Sequence, residues 1–184
     1  SLFISSNLTH FEFTHPIRHR AFKIYCSSKL NSNEKFQFKI GADANLFFRN
    51  VRQVYYDRES PDGKWQAYRF SNRKINIEQP SLNAIIVIHW IKDEAYLLIE
   101  PNSILAEEDL ISVVIKNQSD TIRLKERGRE RMLEFGSKIY EAVQAKKDMT
   151  IFSKGKYVPL LRDESEREAL RITIADYYRL TGIF

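Results

Sequence analysis

Hydrophobic and polar residues alternate with a period of two in several stretches of the first two thirds of the chain. Residues 35–40 read KFQFKI, with an aromatic or aliphatic side chain at every second position, and residues 21–27 follow the same pattern. This alternation is typical of a β-strand with one buried face. The segment 28–34 between them is polar and rich in Asn and Ser, which favours a hairpin loop. These residues therefore predict an antiparallel hairpin.

Further short apolar stretches predict more strands before residue 118. The clearest pair, 84–91 and 95–99, is almost continuously apolar and rich in β-branched residues, which favours a central hairpin covered on both faces. The sequence Ser60-Pro61-Asp62-Gly63 is a strong turn signal, and residues 103–110 favour one or two helical turns. The strands predicted in this part of the chain are residues 65–70, 75–77, 84–91, 95–99 and 111–115.

Residues 43–57 leave two interpretations open. In the first, Asp43 caps a helix whose apolar positions include Phe47, Val51 and Val54. In the second, a single helical turn is followed by a strand over residues 51–56. The spacing of the apolar residues is compatible with both.

The last third of the chain has a helical period. From residue 119 to 147, apolar residues recur at steps of three and four, which predicts a helix. Gly128 and Gly136 weaken this pattern, because each glycine costs about 1 kcal/mol relative to alanine in a helix. We therefore expect a frayed or kinked first part and a firm second part that begins near Glu130.

A hairpin and a second helix complete the chain. Residues 149–152 and 156–161 flank the turn sequence Ser-Lys-Gly and predict the hairpin, which we expect to join or pack beside the main sheet. Residues 163–180 predict the helix, and Gly182 follows it at the position of a left-handed C-cap.

These elements predict an α+β fold. We expect a mainly antiparallel β-sheet of about six to eight strands, with a mixed sheet as the alternative, and two C-terminal α-helices. Residues 1–184 are interpreted as a single domain with a β-rich part, 1–118, and a helical part with a hairpin, 119–184. Because the first residue is Ser1 and not methionine, the alternative is a segment of a larger protein.

Composition and charge narrow the expected cellular location and the expected partners of the protein. Cys26 is the only cysteine, so no internal disulfide can form, which favours an intracellular, cytoplasmic location. The longest apolar runs have the length of strands, so neither a membrane-spanning segment nor a membrane partner is predicted. With 29 Lys and Arg against 24 Asp and Glu, the net charge of +5 permits attraction to polyanions.

Motifs of common enzyme classes are missing from the sequence. There is no glycine-rich phosphate loop, no dinucleotide fingerprint and no Gly-x-Ser-x-Gly elbow. His15 and His19 have helical metal-ligand spacing, but Pro16 lies between them and no cysteine or glutamate completes a zinc motif. Glu-x-Lys, which many magnesium-dependent nucleases use, does not occur. No catalytic residue, metal ligand or cofactor is predicted, and the sequence favours a non-enzymatic protein.

An enzyme with an unfamiliar site remains one alternative, for example a metal-dependent nuclease. Its nearest constellation consists of His89, Asp93 and Glu100, which lie at or beside the central hairpin. A magnesium ion would require these groups to lie close together in the fold.

Basic residues occur in three clusters, within Arg18–Arg20, Arg49–Arg58 and Arg123–Arg131. Basic side chains neutralise phosphates, and aromatic rings beside them stack on unpaired bases. We therefore expect a nucleic-acid-contacting or accessory module, with DNA or RNA as its partner. On a helix, Arg123, Arg127 and Arg131 would share one face, although interleaved glutamates favour the alternative of a solvated helix face. The predicted nucleic-acid-binding residues are Arg49, Arg52, Tyr55, Tyr56, Arg123, Arg127 and Arg131.

A protein-interaction or regulatory domain is the second alternative. Its partner would be another protein or further domains of the same chain. The high aromatic content, with 12 Phe, 9 Tyr and 2 Trp, would then include an exposed apolar patch.

Overall fold

A computed structural model of the chain describes residues 10–13, 22–25, 38–61, 63–106, 108–116 and 121–183. The fold is α+β, as the sequence predicted, and every pairing between the described strands is antiparallel. The strands are β1 (His10–Phe13), β2 (Phe22–Tyr25), β3 (Tyr56–Glu59), β4 (Trp65–Phe70), β5 (Leu82–His89), β6 (Glu94–Pro101), β7 (Ile111–Ile115), β8 (Thr121–Leu124), β9 (Met149–Ser153) and β10 (Lys156–Leu160). The helices are α1 (Ala42–Phe47), α2 (Ser103–Ala106), α3 (Arg129–Gln144) and α4 (Glu164–Thr181).

The first four-stranded sheet has the order β3-β4-β5-β6. It contains the hairpin of β5 and β6, in which Ile86 lies opposite Leu97, and β6 is an edge strand of the sheet. Most residues of both strands are buried, which confirms the predicted hairpin and its covered faces. Its predicted central position was wrong, because β6 lies at the edge of the sheet.

The second four-stranded sheet has the order β10-β9-β7-β8. The C-terminal hairpin, β9 and β10, pairs through β9 with β7, so it belongs to this sheet and not to the first. Strands β3 to β10 therefore divide between two sheets, whereas the sequence led us to expect one main sheet. The two strands β1 and β2 pair with each other.

Helix α3 contacts both sheets, through β6 in the first and β8 in the second. It also packs on α4, where the Tyr178 hydroxyl donates a hydrogen bond of 2.7 Å to the Ser137 hydroxyl. Helix α4 packs mainly on β5. The buried hydrophobic side chains of the described residues form one cluster that includes both sheets and both long helices. The assignment of the whole chain to one domain stays a prediction.

The prediction of a helix from residue 119 was wrong for its first part. Residues Thr121–Leu124 form β8, and the helix begins at Arg129 after Gly128, whose backbone is extended with φ −79° and ψ 153°. The reason is visible in the burial of β8, where Ile122 and Leu124 are buried and their neighbours are exposed. Four residues with period two pair with β7, which a short helical turn could not do.

The segment after Gly41 follows the helical interpretation, but the predicted cap was wrong, because the N-cap is Gly41 and Asp43 lies in the first turn. Helix α1 continues into a π-helical turn, Phe48–Arg52, and a 3₁₀ turn, Gln53–Tyr55, and the strand begins only at Tyr56. The alternative of a strand over residues 51–56 was therefore wrong. A predicted strand over 75–77 is also absent, since Ile75 and Ile77 are exposed and have no partner strand among the described residues.

The remaining local predictions have mixed outcomes. Strand β2 lies inside the predicted stretch 21–27 but pairs with β1. The predicted loop 28–34 and residues 35–37 lie outside the described residues, as does the basic cluster Arg18–Arg20. Gly182 adopts the left-handed C-cap of α4 with φ 67°, as predicted. Within the described part of the chain, no helix combines the length and the apolarity needed to cross a bilayer.

Candidate nucleic-acid interface

Arg52 is held in an ion pair at the edge of the core. Its Nε atom lies 3.0 Å and 2.9 Å from the two carboxylate oxygens of Asp176 on α4. Asp176 is only 3% exposed and also accepts a hydrogen bond of 3.1 Å from Arg179. The guanidinium of Arg52 is thus already paired with a carboxylate, which connects α4 to the helical segment before β3, residues 42–55.

Tyr56 lies inside the fold and cannot stack on a base. It is 6% exposed, and its hydroxyl donates a 2.7 Å hydrogen bond to Asp176. Burial is the main cause that raises the pKa of Tyr56 far above its ordinary value, and the negative charge of Asp176 is the second cause. Tyr55 is 49% exposed, and the guanidinium of Arg52 lies 4.9 Å from its ring centre. Arg49 is exposed to solvent.

Arg127 has a structural position in the loop between β8 and α3. Its Nη2 atom donates hydrogen bonds of 3.2 Å to the backbone carbonyls of Ala106 and Glu108. Partial burial lowers the pKa of this guanidinium. The predicted helical face of three arginines does not exist, because Arg123 lies on β8, Arg127 in the loop and Arg131 on α3.

Arg123 and Arg131 nevertheless come together across a groove. This groove, which we call the β8–α3 groove, has a volume of about 280 Å³. Its floor includes the buried ring of Phe135. The charged residues that line it are Arg123, Lys125, Glu126, Arg131, Glu134 and Lys138. Tertiary structure thus brings together two of the predicted arginines and adds two lysines, Lys125 and Lys138, that were not among the predicted binding residues.

The charges of the groove are only partly neutralised. Glu134 accepts hydrogen bonds from Lys138 at 3.2 Å and from Arg131 at 3.1 Å. The hydrogen bond from Lys138 is the main reason why the pKa of the Glu134 carboxyl lies below its usual range, and the contact with Arg131 lowers it further. Arg123 and Lys125 are exposed and form no ion pair with any residue that the structure describes. The groove therefore has a surplus of positive charge with two uncommitted cations.

The outer face of the second sheet adjoins this groove. Along β8 and β9 the inward side chains are buried, whereas Arg123 and Phe152 point outward and are exposed. On β10, Tyr157 is exposed and lies opposite Phe152. Sequence reasoning missed both rings, although the alternation of buried and exposed positions through Met149–Ser153 was a usable signal.

The enzyme constellation does not assemble. His89 lies opposite Glu94 at one end of the β5–β6 hairpin, and its Nδ1 accepts a 3.2 Å hydrogen bond from the Lys92 backbone N–H. Glu100 lies six residues farther along β6, about 20 Å away, and pairs with Arg69 at 3.0 Å. Among the described residues, no three His, Cys, Asp or Glu side chains are arranged to hold a metal ion.

Known proteins do not identify a relative of this chain. No family model matches it, and neither a curated protein nor a solved structure shows significant similarity. A function must therefore be argued from the geometry and charge of the residues themselves.

Proposed function

We propose that the chain is a non-enzymatic, nucleic-acid-contacting module whose phosphate-binding site is the β8–α3 groove. The observation that carries the proposal is the convergence of four cations on one concave surface. Arg123 and Lys125 approach from β8 and the residue after it, while Arg131 and Lys138 approach from α3. Two glutamates in the same groove leave a net excess of two positive charges.

The chemistry of such a site is phosphate neutralisation. Arg guanidinium groups donate paired hydrogen bonds to phosphate oxygens, and Lys ammonium groups act as point charges. Binding releases condensed counterions, so the logarithm of the binding constant falls with the logarithm of salt concentration by about 0.7 to 0.9 per neutralised phosphate. A groove with this many cations predicts binding without sequence preference, in the range of about 10⁻⁴ to 10⁻⁶ M at physiological salt.

A titration of labelled DNA and RNA oligonucleotides, followed by fluorescence anisotropy, tests this proposal. We expect binding at about 50 mM salt that weakens strongly at about 200 mM. Arg123→Ala and Arg131→Ala should each weaken binding, whereas Arg49→Ala, an exposed arginine outside the groove, should not. Absence of binding at the lower salt concentration, for single strands and duplexes alike, would refute the proposal.

A protein-interaction domain is the second candidate, and the helical segment before β3 favours it. Five large hydrophobic side chains of this segment are exposed, and Val54 reaches 80%. They are Leu46, Phe47, Val51, Val54 and Tyr55. Several exposed apolar side chains within one short segment are typical of a protein contact.

Light scattering over a range of concentrations tests this second candidate. We expect the mass to rise with concentration and Val54→Glu to keep the chain monomeric, because a charge at the exposed position would oppose apolar contact. A chain that is monomeric at every concentration, with and without the substitution, would argue against self-association through this surface.

A further inference from the structure

We infer that the nucleic acid is bound as a single strand, stacked on the open outer face of the second sheet. This inference rests on the proposed function, since it names the class of nucleic acid and the part of the surface that recognises its bases. Phe152 and Tyr157 would form the stacking platform, and Arg123 would connect it to the β8–α3 groove.

A single row across the sheet contains these residues. Tyr157 on β10 lies opposite Phe152 on β9, and Arg123 on β8 lies opposite Ser112 on β7. The pairing of Val113 with Ile151, continued by one residue, places Ser112 opposite Phe152. The row from Tyr157 to Arg123 therefore crosses four strands, or about 14 Å at the usual strand spacing.

The two rings lie side by side on the solvent face of the hairpin. Phe152 is 44% exposed and Tyr157 is 63% exposed, and their ring centres lie 5.2 Å apart at an interplanar angle of 61°. The inward neighbours Ile151 and Leu160 are almost completely buried. This cross-strand pair contributes about 0.2 to 1 kcal/mol to the hairpin, and its two exposed rings also offer an aromatic surface to a ligand.

The chemistry of the outer face complements a nucleic acid. The outward positions of its four strands carry hydroxyl, aliphatic, aromatic and basic side chains, and none of them is a carboxylate. These residues are Ser112, Val114, Thr121, Arg123, Thr150, Phe152, Tyr157 and Pro159. Lys125, the residue after β8, lines the groove together with Arg123, and we call these two cations the basic edge of the sheet. An acidic backbone could thus lie along this edge while its bases reach the rings.

Such a platform selects unpaired bases. In a duplex the faces of the bases are covered by their neighbours, so a ring on a sheet surface can stack only on a base that has left the helix. Exposed aromatic side chains beside a basic track are the common arrangement for single-strand binding. The same rings could contact a protein, but the absence of carboxylates and the basic edge favour the polyanion.

Anisotropy titrations with single-stranded and duplex oligonucleotides of the same sequence test the inference. Phe152→Ala and Tyr157→Ala should each weaken single-strand binding between about fivefold and 150-fold, and Tyr157→Phe should retain it because the ring is kept. Tyr55→Ala, which removes a comparably exposed ring outside this face, is the matched control and should bind like the unchanged chain. Circular dichroism establishes that each variant is folded.

The outcomes separate this inference from the proposed function. If duplex and single strand bind equally, and the two alanine variants bind as well as the unchanged chain while Arg123→Ala weakens binding, stacking is refuted and phosphate binding stands. If no oligonucleotide binds at low salt, both proposals fall. Preference for the single strand, lost in Phe152→Ala and Tyr157→Ala, supports both.

Discussion

Asp176 connects the helical segment before β3 to α4. It is a buried carboxylate, and it accepts hydrogen bonds from side chains on three parts of the fold, namely Arg52, Tyr56 and Arg179. A buried charge is tolerated only when its partners remain in place, because the cost of removing it from water is large. Asp176 therefore has a structural role, and Arg52 and Tyr56 share it.

Asp176→Asn should lower the free energy of unfolding by about 3 kcal/mol, since the substitution leaves two guanidinium groups without their anion. Glu168→Gln, the same chemical change in an exposed pair on α4, should cost less than about 1 kcal/mol. Urea unfolding of both variants measures the difference. Equal and small effects would contradict the structural role of Asp176.

Alkaline pH should destabilise the protein through Tyr56. Its pKa is raised by burial and by Asp176, so the folded chain keeps the phenol proton at a pH where the unfolded chain releases it. Stability is therefore fully present below about pH 10, the ordinary tyrosine pKa, and decreases above it by about 1.4 kcal/mol per pH unit for this group.

Unfolding measured between about pH 9 and pH 11 tests this pH dependence. Tyr56→Phe should be less stable than the unchanged chain at neutral pH, because it lacks the hydrogen bond to Asp176, but its stability should fall less steeply above pH 10. Tyr157→Phe, at an exposed position, should keep the original slope. An unchanged slope in Tyr56→Phe would show that other groups control alkaline unfolding.

At the scale of elements, the contact between α3 and β6 depends on a glycine in the middle of the helix. A Cβ atom on Gly136 would lie 2.8 Å from Leu97 Cδ2 and 3.3 Å from Ile99 Cδ1. Both side chains are almost completely buried and have little room to move. Glycine destabilises the helix by about 1 kcal/mol relative to alanine, but it allows α3 to pack closely on the first sheet.

Gly136→Ala should lower the free energy of unfolding by about 1 kcal/mol, because an overpacking cost of about 1 to 3 kcal/mol exceeds the gain in helix propensity. Combining it with Leu97→Val removes the atom that the new methyl would meet, so the double variant should lose less than the sum of the single variants. Thermal and urea unfolding measure this coupling. A stabilised Gly136→Ala would mean that the packing can adjust without cost.

At the scale of the whole molecule, charge is arranged by tertiary contacts and not by sequence spacing. Arg52 and Arg127 are used within the fold, whereas Arg123 and Arg131 meet across the β8–α3 groove. Glu134 lies between Arg131 and Lys138 and competes with any anion that enters. Of the two glutamates that line the groove, Glu134 is therefore the one that competes directly with phosphate for its cations.

Glu134→Gln should tighten oligonucleotide binding about fivefold at low salt, a factor that corresponds to about 1 kcal/mol for one solvent-exposed charge contact. Glu168→Gln changes the net charge equally but lies on α4 outside the groove, so its effect should be smaller. Equal tightening in both variants would mean that net charge alone, and not the groove, controls affinity.

The sequence by itself determined the α+β class, the β5–β6 hairpin, the C-terminal helix and its glycine cap. These features follow from local rules, because burial period, turn residues and the left-handed backbone of Gly182 act within a few residues of each other. It also placed Arg123 and Arg131 among the predicted nucleic-acid-binding residues. It could not indicate that β8 replaces the first turns of the predicted helix, since four residues are too few to separate the two periods.

Only the tertiary structure decided which charges are free and which faces are open. Whether Arg52 contacts solvent or Asp176 depends on a residue more than a hundred positions away, and no local pattern carries that information. The alignment of Phe152 and Tyr157 with Arg123 likewise depends on which sheet the last hairpin joins. The pairing of strands is determined by burial across the whole core. The candidate site could therefore be recognised only in the folded structure.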